Sequence, residues 1–318
     1  MVFSTGGYEQ RNFYMIVVFG SLNADFFLKV KNFPQPGETI LTPGAVIKPG
    51  GKGANQAVAA ARSGASVMMV GAVGNDELAK VPLNALQAAG VDCSLMQTAP
   101  YATAIAMIMV DEKGENSIVV ASGANGAVTA DRVPDNIFNK DTILVMQMEV
   151  PLEQNVAVMM KAKARGAKVV LNVAPAYPLD EKILPLVDYL ILNQIESEMI
   201  YRHIFKKPSR DIEDLVLKLS GKTGHACLIT LGKNGVIVAE NREVTRATSL
   251  SITPLDTTGA GDAFVGIFSS ALDQKSTLAE ALRYASAGAG LACLQMGAQE
   301  ALPSLAEIKQ KMGAIKIF

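Results

Sequence analysis

The sequence predicts an α/β protein with a mainly parallel central sheet covered by helices on both faces. Two observations carry that expectation. Short, almost wholly apolar runs recur along the chain, as strands buried on both faces require. The stretches between them are Ala-rich or amphipathic with helical spacing, which is the alternation that βα units produce. A third observation concerns placement: polar or glycine-rich clusters follow several of the apolar runs. In such sheets ligands bind beyond the carboxyl ends of the strands.

In chain order, residues 15–20 form the first apolar run and end in glycine. Runs at 67–70, 142–146, 168–172, 189–192 and 226–230 read as further buried strands. Helical patterns fall at 55–63, 78–89, 152–165 and 211–223. Residues 1–14 carry no periodicity and include Gly6, Gly7, Glu9, Gln10 and Arg11. They are expected to be a flexible N-terminal extension, with residues 15–318 as the folded unit. Two segments break the βα rhythm. Residues 26–46 mix polar and apolar residues with Pro34, Pro36, Gly37 and Pro43, and residues 103–122 read as a hairpin around the turn Asp111, Glu112, Lys113, Gly114. Together these pieces, near 24–48 and 101–122, are expected to make a small sheet lying over the ligand edge as a lid. Its exposed face would favour a second copy of itself, so a homodimer through the lid is expected.

A chain of 318 residues, 49% hydrophobic and 19% charged, can bury a large core at the upper end of what one domain holds. A net charge of -1 gives no field that would gather nucleic acid or an anionic membrane. No apolar stretch reaches the roughly 18 residues of a membrane span, and the first residues are too polar for a signal peptide. Cys93, Cys227 and Cys293 are far apart and form no CxxC pair, which speaks against structural zinc or a disulfide framework and for a reducing cytoplasm. His203 and His225 lie in no catalytic cluster. The 14 methionines are scattered through the apolar runs and suit core gap-filling.

The most telling motif is Asp256, Thr257, Thr258, Gly259, Ala260, Gly261, Asp262, followed by an apolar helical pattern. Glycines that admit positive φ, together with a helix N-terminus, make a trap for a phosphate. A carboxylate in the first turn could then take a proton from an attacking hydroxyl. The alternative is an ordinary capped helix start. Gly50, Gly51, Lys52, Gly53, Ala54 and Asn55 form a glycine-rich turn into a helix, with Lys52 and Asn55 as donors for hydroxyl oxygens; it matches neither a Walker loop nor GxGxxG. Asn23 and Asp25 are two apart in an extended segment, so they share a side and could grip neighbouring hydroxyls; an Asx-turn is the rival reading. Glu149 follows one strand. Asn193 and Glu196 follow another, either as holders of a hydrated magnesium or as a capping box. Thr230, Leu231, Gly232, Lys233, Asn234 and Gly235 end a strand in a turn suited to a nucleotide phosphate, or to a plain hairpin.

From about Val17 to Leu305 the sequence resembles the ribokinase branch of the PfkB carbohydrate kinase family. The resemblance rests on residues 20–25, 33–39, 50–57, 114–116, 123–125, 147–149, 172–176, 256–262 and 297–299. It implies a ribokinase-like α/β/α fold with a β-sheet lid and ATP-dependent phosphorylation of D-ribose at O5. It implies Asp262 as base, with the amides of Gly259, Ala260 and Gly261 as anion hole. Asn23, Asp25, Gly50, Gly51, Lys52, Gly53, Asn55 and Glu149 would touch the sugar. Asn193, residues 230–235, Gly261 and Ser286 would touch ATP, with Ser286 standing where bacterial relatives carry His near the adenine. Asn193 and Glu196 match the motif tied to Mg2+. Asp256, Thr258, Ala292, Gln295, Gly297 and Ala301 match a potassium site built mostly from backbone carbonyls, with Ala301 replacing a serine. Two readings compete with ribose: another substrate such as deoxyribose, fructose or adenosine, and a non-catalytic sugar sensor, which would be expected to lose Asp262 or the anion-hole glycines.

Overall fold

A computed structural model describes residues 16–318; the extension expected at 1–14, and Met15, lie outside the described residues. The first half runs β1 (Ile16–Phe19), β2 (Asn23–Lys29), β3 (Ala45–Gly50), α1 (Lys52–Arg62), β4 (Val67–Val70), β5 (Ala72–Gly74), α2 (Lys80–Ala88), β6 (Gln97–Ala99), β7 (Ala104–Val110), β8 (Asn116–Ala121) and β9 (Ile143–Met146). The second half runs α3 (Leu152–Ala164), β10 (Lys168–Asn172), β11 (Tyr189–Asn193), α4 (Gln194–Phe205), α5 (Ile212–Ser220), β12 (Ala226–Thr230), β13 (Val236–Glu240), β14 (Glu243–Ala247), α6 (Ala260–Asp273), α7 (Leu278–Ala292) and α8 (Leu305–Lys311).

The central sheet has the order β14-β13-β12-β11-β10-β9-β1-β4, parallel from β12 through β4 and antiparallel at the β13 and β14 edge. Alternation along β1 shows how it forms three layers. Ile16 and Val18 face one core with Val58 of α1 and Phe264 and Ile267 of α6, while Val17 and Phe19 face the other with Val158 of α3 and Tyr201 of α4. The in-register pairs Phe19↔Val70 and Phe19↔Met146 bring the carboxyl ends of β1, β4 and β9 to one edge.

The two segments that break the rhythm join in a second sheet, β3-β2-β7-β8, in which β2 and β7 run parallel and the outer pairs antiparallel. Val46, Ile47, Ile118, Val119 and Val120 of this sheet are exposed. Several boundaries differ from the sequence reading, most by one residue; α5 ends at Ser220 rather than 223, and two helix starts shift. Helix α1 starts at Lys52 rather than 55, because Gly51 at φ 89° turns β3 straight into the helix. The 78–89 stretch opens as a 3-10 turn at Glu77–Ala79, capped by the Asp76 carboxylate, before α2 begins. Helices α1 and α6 approach closely at Gly266, where an added Cβ would collide with the backbone oxygen of Gln56 and with Ala59.

Candidate active site

The residues 256–262 build a loop and a helix start with separate jobs. Gly259, at φ 74°, is the N-cap of α6 and offers no side chain to it. Asp256 is therefore not the helix cap. Its Oδ1 accepts from Thr258 N (2.9 Å) and its Oδ2 from Gly297 N (2.9 Å), while Leu255 N donates to Cys293 O (2.8 Å). Burial pushes the Asp256 carboxyl up, but those N–H donors outweigh it and hold the group below its ordinary range. Ala260 N donates to Thr257 O at 3.2 Å, whereas the N–H groups of Gly259 and Gly261 have no protein acceptor among the described residues.

Asp262 sits in the first turn of α6, 6% exposed. The close α1–α6 contact sets two amides against it: Asn55 Nδ2 donates to Oδ2 (2.9 Å) and Gln56 Nε2 to Oδ1 (3.0 Å). Behind Asn55 stands Gln299, whose Nε2 donates to Asn55 Oδ1 at 3.0 Å. Behind Gln56 stand Gln147 and Asn172 at the carboxyl edge of the sheet.

On one side of Asp262 lie Asn23, Asp25, Lys52 and Glu149. Glu149 Oε2 accepts from Ser21 Oγ (2.6 Å) and from Lys52 N (3.1 Å), and Ser21 Oγ in turn accepts from Gly53 N (3.2 Å). Asn23 Oδ1 accepts from Asn125 Nδ2 at 2.9 Å. Gly50 leaves room for Asp25, since a Cβ there would collide with that carboxylate. Asp25 Oδ1 is buried with no hydrogen-bond partner among the described residues. Burial, reinforced by the negative charges of Glu149 and Asp262, pushes the Asp25 carboxyl up to about 7. Lys52 is held above its ordinary value, first by Asp262 and then by Glu149 and Glu196, against the cost of its own burial. A cavity of about 350 Å³ opens beside these groups, lined by Asn23, Ser122, Asn125 and Glu149.

On the other side lies a largely apolar slot of about 290 Å³ between Leu250, Ile252, Phe264, Ala289 and Cys293. Ser286, 6% exposed, lines it, and its buried Oγ has no partner among the described residues. Thr230, Gly232, Lys233 and Gly235 line its mouth. Leu231 instead packs on the core, and its N–H closes the turn on Gly235 O at 2.7 Å, with Asn234 N returning to Leu231 O. A smaller cavity of about 230 Å³ joins the two sides. It is lined by Lys52, Asn193, Glu196 and Asp262, and it shares Thr230, Thr257 and Gly261 with the slot. Asn193 and Glu196 form the reciprocal capping box at the start of α4 (2.7 and 2.8 Å), and both also line this cavity. Burial raises the Glu196 carboxyl.

The 292–301 loop carries buried Ala292 and Ala301, exposed Gln295, and Gly297 at φ 101°. Lys48 of β3 reaches it through Glu300 at 3.6 Å. Sequence reasoning assigned no role to Ser21, Gln56, Asn125, Gln147, Asn172 or Gln299. All six fall within the segments that carry the family resemblance, beside a strand end or a glycine, and that is the signal that could have found them.

Residues 14–305 match the pfkB family carbohydrate kinase pattern. The chain is similar to the ribokinase of Haemophilus influenzae, 36% identical over 295 residues that span 92% of this chain and 96% of that protein. Among solved structures it is similar to a ribokinase from Thermotoga maritima, with a TM-score of 0.89 and 30% identity over 95% of this chain and all (100%) of that one. An Arabidopsis thaliana ribokinase complexed with ribose and ATP superposes with a TM-score of 0.83 and 28% identity, covering 93% of this chain and 98% of that one. With an α/β core, a carboxylate at a glycine-bounded helix start lining a cavity beside an apolar slot, and a family match over residues 14–305, the chain belongs to the pfkB family of carbohydrate kinases.

Proposed function

We propose that the protein is an ATP-dependent ribokinase that transfers the γ-phosphate to O5 of D-ribose. The observation that carries this reading is the position of Asp262 in a cavity lined by Lys52, Asn193, Glu196, Gly259 and Gly261 that adjoins the apolar slot, at a helix start with two unengaged glycine amides. Asn23, Asp25, Lys52 and the second oxygen of Glu149 bind the sugar. Asp262 orients O5 and takes its proton as the bond to phosphorus forms; the hydroxyl need not be ionised beforehand. Most of the barrier reduction comes from charge stabilisation of the transferring group.

The slot suits a nucleobase, with Ser286 Oγ as its polar handle, and the 232–235 turn suits the phosphates. Asp25, Glu149, Glu196 and Asp262 face one cation, Lys52, an excess of negative charge that fits Mg2+ held through water by Glu196 and Asn193. Bound there, magnesium would supply charge neutralisation for the phosphates. The 255–258 and 292–301 segments, tied together at Cys293 and Gly297, offer backbone carbonyls for potassium. The second sheet would act as the lid of a domain spanning 15–318, and its exposed apolar residues support a homodimer through it. No helix among the described residues is long and apolar enough to cross a membrane, in keeping with a cytoplasmic enzyme.

The test is turnover of ribose, deoxyribose, fructose and adenosine with ATP and magnesium, each with and without potassium. Ribose is expected to have the highest kcat/KM and potassium to raise it. Preference for adenosine would overturn the ribose reading, and indifference to potassium would remove the cation site.

A further inference from the structure

We propose that Gln56 is the positioning residue of the reaction, locking the base-bearing carboxylate to the edge of the central sheet through a buried chain of amides. The inference rests on Asp262 acting as the base. Gln56 is fully buried (0% exposed), and three of its four hydrogen-bonding capacities, both N–H donors among them, are used by neighbours that favour one orientation of its amide. Its Oε1 accepts from Gln147 Nε2 at 2.7 Å. Its Nε2 donates to Asp262 Oδ1 at 3.0 Å and to Asn172 Oδ1 at 3.1 Å. A flipped amide would face Asp262 and Asn172 with an oxygen.

Each partner is itself pinned. Gln147 follows β9, and its backbone oxygen accepts from Asn155 Nδ2 at 2.7 Å; Asn172 ends β10, and its Nδ2 donates to Ile191 O of β11 at 3.2 Å. Gly20, at the end of β1, has no side chain because a Cβ there would collide with Gln147 Oε1. Four neighbouring strands therefore contribute to holding one amide. The chain is not complete: Gln147 Oε1, Asn155 Oδ1 and Gln299 Oε1 are buried without a partner among the described residues, whereas both ends of the Gln56 amide are engaged, so the cost of burying polar groups is met at Gln56 and tolerated around it.

The consequence is a division of labour at Asp262. Oδ1 is referenced to the rigid sheet through Gln56, while Oδ2 is referenced through Asn55 and Gln299 to the 297–301 loop. Charged groups face Asp262 from three other elements: Lys52 of α1, Asp25 of β2 and Glu196 of α4. Lys52 and Glu196 line the same cavity as Asp262. Without the Gln56 donor the carboxylate would be free to turn toward the Lys52 ammonium and away from the sugar hydroxyl.

The test is Gln56→Met, which keeps the length and volume of the side chain, made alone and in the Asp262→Asn background. The expected result is a fall in kcat of about 10- to 100-fold with ribose and ATP KM within about threefold, the signature of a displaced catalytic group. In the Asp262→Asn background the same substitution is expected to change kcat by less than about threefold, because its effect runs through the missing carboxylate. A residue that merely supports the fold would lower activity by the same factor in both backgrounds, and that result overturns the proposal. So does a kcat for Gln56→Met within about threefold of wild type while Asp262→Asn is crippled, which leaves the kinase reading standing. Near-wild-type turnover of Asp262→Asn alone would instead remove the base and the proposal with it. If Gln56→Met does not melt cooperatively, Gln147→Leu, which frees the Gln56 amide to flip, is measured in the same two backgrounds with the same criteria.

Discussion

The two sides of Asp262 are built by opposite chemistry. On the sugar side, three carboxylates and a half-buried lysine crowd together, and Asp25 Oδ1 has no partner among the described residues. On the nucleotide side, aliphatic and small side chains form a slot whose interior offers the single buried hydroxyl of Ser286. The difference teaches where each ligand's selectivity resides. A site that leaves charged groups unpaired rejects a ligand lacking the matching hydroxyl, because desolvated polar groups are expensive when unmet; an apolar slot discriminates weakly, by shape.

Four measurements would break or sharpen this contrast. Asp262→Asn touches the boundary itself and is expected to lower kcat by about 10² or more, read from initial rates with saturating ribose and ATP. Asp25→Asn belongs to the sugar side alone: ribose KM should rise about 10- to 100-fold, as loss of a hydrogen bond to a charged group implies, while ATP KM stays put. A shared rise in both constants would mean the two sides are not separate. Ser286→Ala belongs to the slot, where losing one neutral hydrogen bond should raise ATP KM by no more than about fivefold and leave ribose KM unchanged. A loss of about 100-fold there would make the slot a polar reader after all.

The smallest effect is on stability. The Asp25 carboxyl, ordinarily at 3.8, stands at about 7 in the fold, so the unfolded chain releases this proton first. Stability contributed by this site therefore falls as pH rises between about 4 and 7, and is fully present only below that window. In sugar-free thermal melts Asp25→Asn should exceed wild type by a few degrees at about pH 8, with the gap closing near pH 4. A variant that melts lower than wild type at the higher pH would contradict the burial cost assigned to Asp25.

How far the sequence could be read differs between the frame and the site for a physical reason. The strands at Val67–Val70, Lys168–Asn172 and Ala226–Thr230 were legible at their observed ends, because a parallel strand buried on both faces must be apolar throughout. β14 was not, since Glu243–Ala247 lies at an edge and mixes charge with apolar residues. Asp262 and the glycines before it were visible as a local pattern. The amides behind Asp262 were visible only as members of motif segments, with no role: Gln56, Gln147 and Gln299 are far apart in the chain, and Gln56 meets Asp262 across 206 positions.

The amino-acid sequence alone determined the α/β layering, a helix start within the 256–262 motif and the identity of the groups that can do chemistry, because these follow from local periodicity, φ preference and side-chain type. Only the tertiary structure decided that Asp256 ties two loops together rather than capping a helix, that Gly266 lets two helices close, and that a chain of buried amides holds Asp262. Those outcomes depend on which strand ends and helices come within about 3 Å of one another, and hydrogen bonds of that length carry no trace in the residues that flank them.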